Sequence, residues 1–125
     1  KPGTDDIREA PALEVIHELI KEGHSICAFD PVASENSKKY FLETAPKLSH
    51  LISYCDDQYK ALDNSDTLVI STEWEPFKEP DFERIKKSLK SNTLFDGRNI
   101  YNLGLMQELG FNYYSIGRPA ILATR

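Results

Sequence analysis

Five short apolar runs, each set off by a stretch of helical or turn character, leave this chain few ways to fold. The clearest run is TLVIS at 67 to 71. It is β-branched and apolar on both faces, as expected of a strand in a parallel sheet covered by helices on each side. SICAF at 25 to 29, bounded by Gly23 and by Asp30-Pro31, reads as a second such strand. Further strands are expected at Ile52 to Cys55, at 93 to 96 (TLFD) and at 112 to 116. Between them, residues 10 to 22 set Leu13, Ile16, Leu19 and Ile20 at helical spacing, with Gly23 placed as a left-handed stop. Helices are also expected from Ser34 to about Thr44, over Asp56 to Leu62 with Asp56 as its cap, at 81 to 90, and at about 102 to 109 before Gly110. The order is a strict alternation of helix and strand. Short loops in such an alternation imply parallel strands with right-handed crossovers, hence a doubly wound α/β sheet.

The 125 residues suffice for one domain of this kind, spanning 1–125, and not for two. With 40% hydrophobic and 28% charged residues, long disorder is excluded. No apolar run approaches the roughly 18 residues that cross a bilayer, and KPGTDD at the start lacks a secretory core, so a cytoplasmic protein is expected. Cys27 and Cys55 lack the spacing of a zinc or redox motif and are expected as buried thiols. Fifteen Lys and Arg against twenty Asp and Glu give a net charge of −5, which argues against nucleic acid as a partner. An anionic ligand must therefore be met by a few placed cations. The chain starts at Lys1 inside a loop-like segment and is expected to be part of something longer, with its first strand upstream and the exposed sheet edge covered by another segment or chain.

In open α/β sheets ligands bind beyond the carboxyl ends of the strands. Here those positions are Asp30-Pro31, Asp56-Asp57, Thr72-Glu73-Trp74 and Asp96-Gly97-Arg98-Asn99, all far more polar than the strands they follow. With an upstream strand in place, the Lys1 to Arg8 loop would join the same rim. Lys1, Arg8 and Arg98 would then be cations for a phosphorylated ligand. The competing expectation is that Arg98 pairs with Asp96 or a neighbouring carboxylate and holds its loop. Glu73 and Trp74 are expected to cap a turn and fill an interface, and Tyr113 and Tyr114 to fill a strand. His17, His24 and His50 have no partner at metal-ligand spacing, so no metal site is expected. No nucleophile is flanked by a base, and neither GxGxxG nor GxxxxGK[ST] occurs.

At KPGTDDIREAPAL the chain resembles the UDP-glucose 6-dehydrogenase family within the UDP-glucose/GDP-mannose dehydrogenase group. AFDPVA at 28 to 33, TLVISTEWEPF at 67 to 77, DFERIK at 81 to 86, FDGRNIY at 95 to 101 and LGFNYYSIGR at 109 to 118 agree in order, so the resemblance covers essentially the whole chain. It implies a Rossmann-like C-terminal UDP-binding domain in an enzyme that oxidises UDP-glucose to UDP-glucuronate with two NAD through a cysteine-bound thioester. FDGRN with STEW points to the UDP-glucose branch. Neither Cys27 nor Cys55 matches the family's nucleophile, so the resemblance implies that the catalytic residues and most of the NAD site lie outside these residues.

Carried over by position, the resemblance implies UDP-sugar contacts from Lys1 and Arg98, and a contact from Arg8 to NAD. It also implies a homo-oligomer. Two alternatives stay open at this point: a dehydrogenase of another nucleotide sugar, and a non-catalytic α/β module of the receiver kind with Asp56 as an ambiguous phospho-acceptor.

Overall fold

A computed structural model describes residues 11–30 and 34–123. Lys1 and Arg8 lie outside the described residues. Among the described residues the α-helices and strands are α1 (Pro11–Lys21), β1 (Ile26–Ala28), α2 (Ser34–Thr44), β2 (Ile52–Tyr54), β3 (Thr67–Ile70), α3 (Phe82–Ser88), β4 (Thr93–Asp96), α4 (Leu103–Leu109) and β5 (Asn112–Ser115). The protein is a mixed α/β fold whose ladders are parallel, as the alternation predicts. It divides into two compact units, Lys1–Ala61 and Leu62–Arg125.

The first unit pairs β1 with β2, Ile26 opposite Ile52 and Ala28 opposite Tyr54. Its core is Leu13 and Ile20 of α1, Phe41 of α2 and Ile52 of β2. α1 ends where Gly23 adopts a φ of 88°, a left-handed conformation that favours glycine. His17 is an ordinary packing residue: its ring meets those of Tyr40 and Phe41, and its Nε2 lies 3.3 Å from Thr44 Oγ1. The expected helix at Asp56 to Leu62 shrinks to a 3-10 turn at Lys60–Leu62. Asp57, not Asp56, caps this stretch, its Oδ1 accepting from Tyr59 N at 2.7 Å and Lys60 N at 3.3 Å. The cysteines are not buried thiols either: Cys27 is exposed and Cys55 is half-buried. The two-residue period of a strand explains this, because Ile26 and Ala28 turn to the core and Cys27 between them turns away.

The second unit is a three-stranded parallel sheet in the order β3-β4-β5. Asp81 caps α3 by accepting from Arg84 N, and Asn102 caps α4 by accepting from Leu105 N. Ile70, Leu94, Asp96 and Tyr113 are buried, and Ile85, Met106 and Phe111 are buried with them. Each large apolar side chain so placed contributes about 1.5–3 kcal/mol.

The other face departs from expectation. Val69, Phe95 and Tyr114 lie in register across it and stay 44%, 44% and 38% exposed, with Phe95 stacked on Tyr114. Strand order supplies the reason. Crossovers of one hand between strands laid down consecutively in one direction put both connecting helices on the same face. Beyond β5 the chain turns back, and Ile121 bridges antiparallel to Tyr113, which covers part of that edge.

Candidate functional site: the carboxyl edge of the second sheet

Three loops leave the carboxyl ends of β3, β4 and β5, and one buried carboxylate organises two of them. Asp96 shares the inward face of β4 with Leu94 and is only 2% exposed. An ionised carboxylate there needs a full set of donors. Its Oδ1 accepts from Arg98 N at 2.9 Å, and its Oδ2 from Ile100 N at 2.8 Å, Tyr101 N at 3.3 Å and the Tyr113 hydroxyl at 2.6 Å. The loop after β4 is thus wrapped around its own strand's last side chain.

Arg118, in the loop after β5, extends this network. Its Nη2 donates to Tyr113 Oη at 2.8 Å, its Nη1 to Tyr101 O at 3.1 Å and its Nε to Ser115 Oγ at 2.9 Å. A chain of donors therefore runs from Arg118 through the Tyr113 hydroxyl to Asp96. Burial, reinforced by the hydrogen bond to Asp96, pushes the Tyr113 hydroxyl up to about 12. Tyr113 remains a neutral donor throughout the physiological range.

Two further residues fix the loop. Gly97 donates to Ile70 O at 2.8 Å, and a Cβ there would meet that oxygen at 3.3 Å, so the close approach of β3 favours glycine. The left-handed residue of the turn is Asn99, at a φ of 53°. Its amide exchanges two bonds of 2.8 Å with the backbone of Ile116, tying the β4 loop to the β5 loop.

Arg98 stands on this frame. Its Nε and Nη2 donate at 3.0 and 2.7 Å to the same oxygen of Glu73, in the loop after β3. Both side chains are about two-fifths exposed. The expected pairing with a neighbouring carboxylate is therefore present, and it is Glu73 rather than Asp96 that takes the guanidinium. The pair uses one edge of the guanidinium and leaves the Nη1 side to point donors elsewhere. Beside it, Trp74 precedes the 3-10 turn Glu75–Phe77 without a side-chain cap. Its indole N–H is buried and has no partner among the described residues.

The edge thus presents a guanidinium, paired with Glu73, on a polar loop held by Asp96 and Asn99. Of Lys1, Arg8 and Arg98, the described residues contain Arg98 alone. The sequence does not single out Arg118, and it names Asn99 and Asp96 at the strand end without their roles in tying and organising the loop. The signal for Asp96 was available: an acid two residues from Leu94 on a strand's inward face has to be buried among donors.

A family model for the UDP binding domain of UDP-glucose/GDP-mannose dehydrogenases matches residues 1–103. The chain belongs to this family. The UDP-glucose 6-dehydrogenase of Pseudomonas aeruginosa is 44% identical over 119 residues, 95% of this chain and 26% of that protein. UDP-glucose 6-dehydrogenase TuaD of Bacillus subtilis is 38% identical over 124 residues, 99% of this chain and 25% of that protein. The chain therefore spans about a quarter of the length of these relatives. Among solved structures, NDP-N-acetyl-D-galactosaminuronic acid dehydrogenase from Methanosarcina mazei Go1 superposes with a TM-score of 0.72 at 22% identity. The match covers 94% of this chain and 22% of that one. At that identity the likeness establishes the fold.

As a UDP-binding-family chain, it carries its rim of strand-end loops where open α/β sheets place ligands. Among the described residues no helix is long and apolar enough to cross a membrane, and no cluster of three or more His, Cys, Asp or Glu could hold a metal.

Proposed function

We propose that residues 1–125 are the UDP-binding domain of a cytoplasmic, homo-oligomeric UDP-glucose 6-dehydrogenase, with Arg98 donating to the bound UDP-sugar. The supporting observation is the guanidinium of Arg98, held at the carboxyl end of β4 by an Asp96-wrapped loop and, among the described residues, paired through one edge. Relatives named UDP-glucose 6-dehydrogenase, at 44% and 38% identity, favour glucose over other nucleotide sugars. In the whole enzyme NAD would supply the hydride acceptor for the sugar C6. The residues described here would hold the distant nucleotide end, so that binding energy far from C6 orients the reacting carbon. Lys1 would add a second contact to the nucleotide-sugar and Arg8 a contact to NAD.

Arg98 provides the test. Charge-assisted hydrogen bonds contribute roughly 1.5–3 kcal/mol each, so in the intact protein Arg98→Ala should weaken UDP-glucose binding by about ten- to a hundredfold. Its exposed pair with Glu73 is worth only about 0–1 kcal/mol, so the melting temperature should move little and NAD affinity should hold. Calorimetric titration beside a melting curve reads both quantities. Unchanged UDP-glucose affinity would overturn the role of Arg98. A whole enzyme that reduces NAD with another UDP-sugar and not with UDP-glucose would overturn the substrate.

A further inference from the structure

We propose that Cys27 and Cys55 form an oxidation site, a thiol pair that a peroxide converts to an intramolecular disulfide. Their sulfurs lie 3.5 Å apart. Cys27 is the middle residue of β1 and stands in register with Ser53, while Cys55 directly follows the end of β2. The two-residue period therefore puts both side chains on one face of the ladder, meeting diagonally. Cys55 N also donates to Ala28 O at 2.9 Å, so backbone pairing continues to the second cysteine. The sulfurs are brought together by the ladder itself, with one side-chain torsion on each to adjust.

A disulfide needs an S–S separation of about 2.05 Å, which leaves about 1.5 Å to close. The closing motion has somewhere to come from, because β2 stops at Tyr54 and the chain bends at Asp56. Exposure assigns the roles: Cys27 is open to solvent and meets the oxidant, and the half-buried Cys55 resolves.

In the first step the Cys27 thiolate attacks hydrogen peroxide. An S–O bond forms, the O–O bond breaks, and the departing hydroxide takes a proton to become water. In the second step the Cys55 sulfur, giving up its proton, attacks the Cys27 sulfenic acid. The S–S bond forms, the S–O bond breaks and a second water leaves. Two thiols lose two electrons, and the peroxide is reduced to two waters. A thiol reductant reverses the bond by exchange. The site is independent of the proposed UDP-sugar role, because neither cysteine lies on the β3-β4-β5 edge.

The test treats the intact protein with hydrogen peroxide, alkylates the remaining thiols and maps peptides by mass spectrometry without reduction. The expected product is one Cys27–Cys55 linked peptide pair, lighter by two hydrogens than its parts. It should form at a rate independent of protein concentration and disappear on treatment with dithiothreitol. In Cys55→Ser, oxidation should stop at a Cys27 sulfenic acid that dimedone traps. In Cys27→Ser, loss of the Cys55 thiol should slow by at least about tenfold, since the exposed member is gone. Serine is nearly isosteric with cysteine, and the wild-type map decides the question even if a variant folds poorly. Full alkylation of both cysteines after a dose that oxidises glutathione would overturn the proposal, as would linkage of Cys27 only to other cysteines or other molecules.

Discussion

Asp96 is the residue on which the candidate site turns, and it shows how one buried charge can be worth its desolvation. Its two oxygens accept from three backbone amides and one tyrosine hydroxyl, so the cost of burial is offset by charge-assisted hydrogen bonds that also shape the Arg98 loop. Asp96→Asn keeps the shape but offers one accepting oxygen and turns an NH2 group towards donors. A loss of about 2–4 kcal/mol of stability is expected, read by urea denaturation. A loss under about 1 kcal/mol would contradict the role. Tyr113 adds a pH signature. Its folded hydroxyl titrates near 12, above the ordinary value near 10, so the unfolded chain gives up this proton first. The stabilisation is complete below pH 10 and is lost as pH rises from 10 towards 12. Wild-type stability should therefore fall more steeply across that window than that of Tyr113→Phe. Parallel curves in the two proteins would contradict the assignment.

At the scale of elements, local chemistry accounts for most boundaries. α3 and α4 are only seven residues each, too short to be stable alone, and both begin on a side chain that accepts from the third residue along. Asn102→Ala should cost about 1 kcal/mol through loss of this cap. It should also loosen the segment that carries Tyr101, whose carbonyl Arg118 uses. Amide hydrogen exchange over Leu103–Leu109 would report the fraying, and unchanged protection there would count against it. Gly110, at a φ of 80°, stops α4 where the sequence pattern puts the stop. The element that contracted is the one expected at Asp56 to Leu62. The expected cap is Asp56, and in the fold it is the adjacent Asp57 that turns its oxygen to the following amides.

For the whole molecule, the alternation of apolar runs with helical spacing was enough to give parallel α/β architecture, because period and turn residues are local properties that survive without tertiary context. The same locality made the strand ends legible as the polar edge that forms the candidate site, with Arg98 among their residues. Quantities that depend on strand order and facing were not legible. The order β3-β4-β5 puts both connecting helices on one face and leaves Val69, Phe95 and Tyr114 open on the other, although TLVIS looks apolar on both sides. Strand facing likewise exposes Cys27 while pairing its sulfur with that of Cys55, 28 positions away. Arg118 has Ser115 and Tyr113 close by in the chain, and the pairing of β4 with β5 is what brings the carbonyl of Tyr101, 17 positions away, within its reach. The elements and their order along the chain were set by the sequence through nearest-neighbour physics. Which side chains meet was decided by the tertiary structure, since contacts between residues distant in the chain exist only once register and facing are fixed.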